Sequence, residues 1–298
     1  CIGGQDTVSF RKEVWLLRWN RQKRIIEIER LPDLPVPLAY MSAAALDGSI
    51  YVVGGEQGTH KGIASHSFLK LDLAKRGIIW EPLTPWPGPG RVMPVVAVQN
   101  NGTHDCLYVF SGRQSALQND SLLFDGYCYD PETSLWKRLN DIGGQGQQTW
   151  CMAGASSVPV GLNHIMVFVG ADSRDHRLFR EAQHNYDQAT TAAQKEQYRQ
   201  LLNNISDPHT GYSRDIYTYH TLTDRWVKVG TFPFPSPVVT QATLWDKDII
   251  IPGGEIIPAK RSAAIWSADV VVNETSILKG LDYALIIIYF LIIFYIGY

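Results

Sequence analysis

Hydrophobic residues in this chain come in short runs that end on a pair of small residues. The runs are Cys1-Ile2-Gly3-Gly4, Tyr51-Val52-Val53-Gly54-Gly55, Tyr108-Val109-Phe110-Ser111-Gly112, Val167-Phe168-Val169-Gly170-Ala171 and Ile249-Ile250-Ile251-Pro252-Gly253-Gly254. Counted from the first small residue of each pair, the intervals are 51, 57, 59 and 83 residues. Within an interval the same features return in order. An alternating strand runs into a polar turn, as in Phe68–Asp72, Tyr127–Pro131 and Ile216–His220, and a strand carrying Trp80, Trp136 or Trp226 follows. A proline-marked turn comes next, at 31–35, 83–87 and 232–235, then a strand of small apolar residues, then the strand that closes on the glycines. Four short strands in about 50 residues is the pattern of a β-propeller blade of the kelch type. Each tryptophan is expected to pack between neighbouring blades, and each glycine pair to turn the chain where backbones crowd the axis.

The long interval contains about 31 residues without strand alternation, 174–204, rich in Ala, Gln, Glu and Arg. Tyr186, Ala189, Ala193, Tyr198, Leu201 and Leu202 fall near helical spacing, which predicts one or two helices inserted in that blade. Residues 262–272 read as one more strand and 273–280 as a linker. The run from Leu281 to Tyr298 carries only Asp282 as a charge and predicts the start of a transmembrane helix. The expected organisation is therefore all-β: a propeller over 1–272, six-bladed when intact, with the helical insertion, the linker and the membrane segment 281–298.

Composition narrows the function classes. A net charge of −2, without a basic stripe interleaved with aromatics, gives no reason to expect nucleic acid as a partner. Cys1, Cys106, Cys128 and Cys151 lack the spacing of a zinc or redox motif, and the last three lie in or beside hydrophobic runs, as buried free thiols do. The eight histidines show no metal-ligand spacing, which argues against a copper-radical oxidase on the same scaffold. No metal and no cofactor is expected.

The last glycine pair is followed by an acid and, beyond a proline, an arginine: Gly253-Gly254-Glu255-Ile256-Ile257-Pro258-Ala259-Lys260-Arg261. This segment resembles the GE-x-x-P-x-x-R pattern of the kelch-type sialic acid mutarotases, the N-acetylneuraminate epimerases. LPDLPVP at 31–37 and WCMAG at 150–154 are also similar to segments of that family. Ala259 stands where the pattern would place glycine. The blade ending at Gly4 precedes LPDLPVP here, which resembles a cyclically permuted branch, and the 281–298 tail resembles the first helix of a sodium/solute symporter fused to such propellers.

The resemblance implies interconversion of the α and β anomers of a sialic acid through ring opening. Glu255 would move the proton of the anomeric hydroxyl. Arg261 would hold the sugar carboxylate in a bidentate grip; Arg91, just after a Pro-Gly turn that opens an inner strand, and Arg113, after Ser111-Gly112, are further candidate substrate contacts by position. It also implies a location in the periplasm or otherwise outside the cytoplasm, a membrane attachment, and sodium as the ion for the attached transporter. A non-catalytic sugar- or protein-binding module serving that transporter is the alternative; rate enhancement separates the two.

Overall fold

A strand buried on both faces has no reason to alternate apolar and polar residues, and the central strands of this chain do not. In Ser49–Val53, Ile50 and Val52 pack toward one neighbouring sheet, while Tyr51 and Val53 pack toward the other. In Asp105–Phe110, Leu107 and Val109 share the side of Tyr51, whereas Cys106, Tyr108 and Phe110 face the next sheet along. Every such strand is sandwiched between blades. The computed structural model describes residues 1–58, 63–75, 77–114, 121–143, 150–205, 212–257, 260–269 and 280–297.

These residues form a β-propeller with five blades. Blade 1 is Ile2–Gln5, Phe10–Asn20 and Ile25–Leu31. Blade 2 is Ser42–Leu46, Ser49–Val53, Phe68–Asp72 and Trp80–Pro82. Blade 3 is Val95–Asn100, Asp105–Phe110, Gly126–Asp130 and Leu135–Leu139. Blade 4 is Ser156–Val160, His164–Asp172, Ser213–His220 and Arg225–Thr231. Blade 5 is Thr243–Trp245, Asp248–Ile257 and Lys260–Asp269. Strands within each blade pair antiparallel in chain order. Blades 2 to 4 thus each carry the repeat of four, while blades 1 and 5 show three strands among the described residues.

Four hydrophobic clusters fill the four interfaces between successive blades. Trp80 lies between blades 1 and 2, Trp136 between 2 and 3, and Trp226 between 3 and 4. Their role is the expected one, with polar anchors added. Trp80 Nε1 donates to the Pro32 carbonyl at 2.8 Å and Trp136 Nε1 to the Thr84 carbonyl at 2.9 Å, both on the proline-marked connections. Trp266 takes the corresponding place between blades 4 and 5, stacked on Phe234. Cys106, Cys128 and Cys151 are buried free thiols, and Cys1 is exposed.

The insertion is two helices, α1 (Ser173–Gln188) and α2 (Ala192–Ile205), which leave blade 4 directly after its His164–Asp172 strand. The strand expected at 262–272 begins two residues earlier and is described to Asp269; 270–272 and most of the linker lie outside the described residues. The C-terminal run forms α3 (Gly280–Gly297), with every side chain from Tyr283 to Ile296 exposed. The expectation that this run starts a membrane-spanning helix finds no support here. Among the described residues no helix is long and apolar enough to cross a membrane.

Candidate functional site

The blades converge through left-handed residues. The glycine turn of blade 2 has φ of 68° at Gly54 and 101° at Gly55. A Cβ on Gly54 would sit 2.4 Å from the Arg91 carbonyl oxygen, so neither the conformation nor the space admits another residue. Opposite these turns, at the entry of each inner strand, stand Tyr40, Met93, Gly154 and Val239, also at positive φ. They are linked one to the next: Met93 N donates to Tyr40 O (2.7 Å), Gly154 N to Met93 O (2.9 Å) and Val239 N to Gly154 O (2.8 Å). This backbone chain passes from blade to blade around the axis. It holds even β-branched Val239 at a φ of 56°, a conformation such a residue rarely adopts.

The turns deliver the next residue of each blade to the same level. Glu56 pairs with Ala39, Arg113 with Val92 and Glu255 with Val238, each beside the left-handed residue of its blade. Gln5 follows the equivalent turn of blade 1. Blade 4 has one left-handed residue, Gly170, in place of two, so Ala171 opposite Ala153 takes this level. The rim is therefore polar in blades 1, 2, 3 and 5 and interrupted at the blade that sends out the helices.

Beside the rim lies a cavity of about 830 Å³, within the range of small-molecule sites. Its walls include Gln5, Asp6, Tyr40, Ser42, Gln241 and Arg261. Asp6 is ionised there: the amides of Ser9 and Val8 and the Arg11 guanidinium lower its pKa to about 2. Glu255 and Arg261 are directly opposed in the hairpin of blade 5. Directly opposed residues share a sheet face, with Cβ atoms about 5 Å apart. Arg261 is exposed on the cavity wall, while Glu255, paired with it across the hairpin, is half-buried and not itself among the lining residues. The hairpin turn between them, including Ala259, lies outside the described residues.

Sequence reasoning missed Tyr212. Its hydroxyl donates to Glu255 Oε1 at 2.8 Å, and its own amide donates to the Ile256 carbonyl at 3.1 Å. Tyr212 is 43 residues away in the chain, after the helical insertion, and no local motif marks it.

Arg91 is the expectation that the structure moves. It is fully buried, with Nη2 2.9 Å from Asp125 Oδ2 and Nη1 donating to the Ser111 carbonyl at 3.0 Å. The guanidinium lies over the rings of Trp86 and Tyr127. It is absent from the cavity wall, and its charge is already matched. Arg91 holds the wall between blades 2 and 3 and is not among the residues that line this cavity. Arg113 stays at the rim, fixed by paired backbone hydrogen bonds to Val92 at 2.9 and 3.0 Å, but it too is not on the cavity wall. The structure thus brings Glu255 and Arg261 together, adds Tyr212, and sets the other two arginines apart.

A family model described as N-acetylneuraminate epimerase matches residues 31–279 of this chain. An N-acetylneuraminate epimerase from Yersinia enterocolitica is 27% identical over 244 residues, covering 80% of this chain and 57% of that protein. One from Salmonella typhimurium is 27% identical over 246 residues, covering 80% and 58%. The chain therefore spans somewhat more than half the length of these relatives. A solved structure described as "Structure of YjhT" is similar in fold, with a TM-score of 0.62 at 19% identity, covering 80% of this chain and 65% of that one.

Proposed function

The chain belongs to the N-acetylneuraminate epimerase family, and from that premise we propose that it interconverts the α and β anomers of N-acetylneuraminate or a closely related sialic acid. The observation that carries the reading is the opposed Glu255–Arg261 pair beside a cavity of about 830 Å³. Tyr212 occupies Oε1 of Glu255, which leaves Oε2 to take the proton of the anomeric hydroxyl. As that proton leaves, the hydroxyl oxygen becomes a ketone oxygen, the bond from the anomeric carbon to the ring oxygen breaks, and the ring oxygen takes a proton from solvent. Reclosure on the other face of the ketone gives the other anomer. Arg261 presents two parallel N–H donors to the sugar carboxylate, fixing the anomeric carbon beside the carboxylate base.

The test is anomer exchange of N-acetylneuraminate followed by NMR, with and without the chain. Acceleration supports the reading; binding without acceleration would instead identify a sugar-binding module. Two substitutions refine it. Arg261→Lys keeps the charge but loses the paired donors, and is expected to raise KM about tenfold, at 1.5 kcal/mol or so for a charged hydrogen bond. Tyr212→Phe removes one hydrogen bond, about 1 kcal/mol, and is expected to lower kcat about fivefold with little change in KM.

The proposal extends to a closed six-bladed ring of the kelch type, with blades in permuted order. Two observations support closure by one more blade. The axial backbone chain has its two ends at Tyr40 and Val239. Apolar side chains are exposed on both outermost blades: Leu17, Trp19 and Ile28 on blade 1, and Leu244, Trp245 and Ile265 on blade 5. The proposal further includes a position outside the cytoplasm, membrane association and sodium-driven uptake through a transporter following α3, whose exposed apolar surface supports it. Sodium-dependent accumulation of sialic acid in vesicles carrying the protein tests that part.

A further inference from the structure

Blade 3 carries a second group of reactive side chains at the end of its strands away from the rim. The ladder between Asp105–Phe110 and Gly126–Asp130 pairs Leu107 with Tyr129 and Tyr108 with Cys128. One step further along this register sets Cys106 opposite Asp130. Because side chains alternate with a period of two, Cys106, Cys128 and Asp130 fall on one face of the sheet, and His104, just before the strand, meets Asp130 there. The ligand atoms of His104, Cys106 and Asp130 lie within 4.8 Å of one another. His104 Nε2 is 3.0 Å from Asp130 Oδ1, and Nδ1 is 3.0 Å from Thr103 Oγ1. Cys106 is fully buried, in the same cluster as Cys128, and accepts a hydrogen bond from Asn101 Nδ2 at 3.2 Å.

We propose that His104, Cys106 and Asp130 form a binding site for a divalent transition metal of the zinc class. One nitrogen, one sulfur and one oxygen donor suit zinc or cobalt, whereas magnesium and calcium take oxygen alone. Ligand bonds of about 2.0–2.3 Å require donors roughly 3.5 Å apart, so the group contracts by about 1 Å around the ion. A His–Asp pair alone would pin the hairpin turn, but it needs no thiol beneath it. His104 and Asp130 are each about a quarter exposed, at 25% and 27%, and admit the ion from solvent, while Cys106 closes the position below. Thr103 holds Nδ1 and leaves Nε2 for the metal; Cys128 orients the Cys106 sulfur from behind, as outer-sphere partners do. A water completes the fourth position. The strand Asp105–Phe110 separates this group from the rim by about 20 Å, so the site is distinct from the cavity and its occupancy is independent of the proposed reaction.

The experiment uses the whole chain, stripped with a chelator, and adds Co²⁺ for spectroscopy and Zn²⁺ for calorimetry. The expected result is about one Zn²⁺ per chain and a thiolate-to-cobalt charge-transfer band. His104→Ala and Asp130→Asn should each weaken binding at least tenfold or so, Cys106→Ser should remove the band, and His66→Ala, remote from the group, should change neither. A wild-type chain without the charge-transfer band overturns the proposal, even where a variant does not fold. So does zinc binding that is unchanged in both His104→Ala and Asp130→Asn, the result expected of ions scattered on the surface.

Discussion

Replacing Glu255 with glutamine is expected to slow anomer exchange of N-acetylneuraminate by about 10²- to 10⁴-fold, the range for loss of a positioned general base. Glutamine preserves the size of the side chain and an oxygen to accept from Tyr212, which donates at 2.8 Å in the wild type. The backbone pairing of residue 255 with Val238, at 2.8 and 2.9 Å, is untouched by the change. The loss should therefore appear in kcat, with KM and the melting temperature near their wild-type values. Exchange at the wild-type rate in this variant would take Glu255 out of the mechanism and leave Arg261 as a binding residue. Loss of folding is not the expected outcome, because Glu255 is only half-buried and glutamine keeps the acceptor that Tyr212 needs.

Arg91→Met is expected to act in the opposite manner, on stability before affinity. The substitution leaves Asp125 next to a methionine in a wall where the arginine is 0% and the aspartate side chain 12% exposed. Removing one member of a buried pair costs about 3–5 kcal/mol, because the partner charge stays behind uncompensated. For a chain of this size that is a fall in melting temperature on the order of 10 °C. The double variant Arg91→Met, Asp125→Leu should recover much of the loss, since a packed apolar pair removes the stranded charge. If Arg91→Met melts like the wild type but binds sugar weakly, the arginine contacts ligand and its assignment to the wall fails.

These two residues show how far the chain could be read from its letters. Glu255 and Arg261 stood out through the resemblance of their segment to a family pattern, and the structure adds that they lie six positions apart on strands that pair directly. Arg91 looked equivalent as a charged residue beside a glycine turn. Nothing local reveals that Asp125, 34 residues on, waits across the strand with Trp86 and Tyr127 on either side. Tyr212 was silent for the same reason, and the His104, Cys106 and Asp130 group is invisible to any motif that runs along one strand. Its spacing exists only across a ladder.

What the sequence by itself determined is the repeat. Strands too apolar to have a wet face must be sandwiched, and paired small residues at intervals must mark where they converge; the described blades of an expected six and their tryptophan seams follow from that, and the break in the pattern at 174–204 marks a helical insertion of one or two helices. The tertiary structure alone decided the chemistry available at the axis. Polar residues at four distant chain positions reach one level because the paired left-handed turns of blades 1, 2, 3 and 5 repeat the same geometry, and the left-handed residues opposite are hydrogen-bonded in a row from Tyr40 to Val239. Periodicity is a local property, set by which faces are buried. A site is a coincidence of distant residues, and only the closing of the sheets around a common axis brings them within reach.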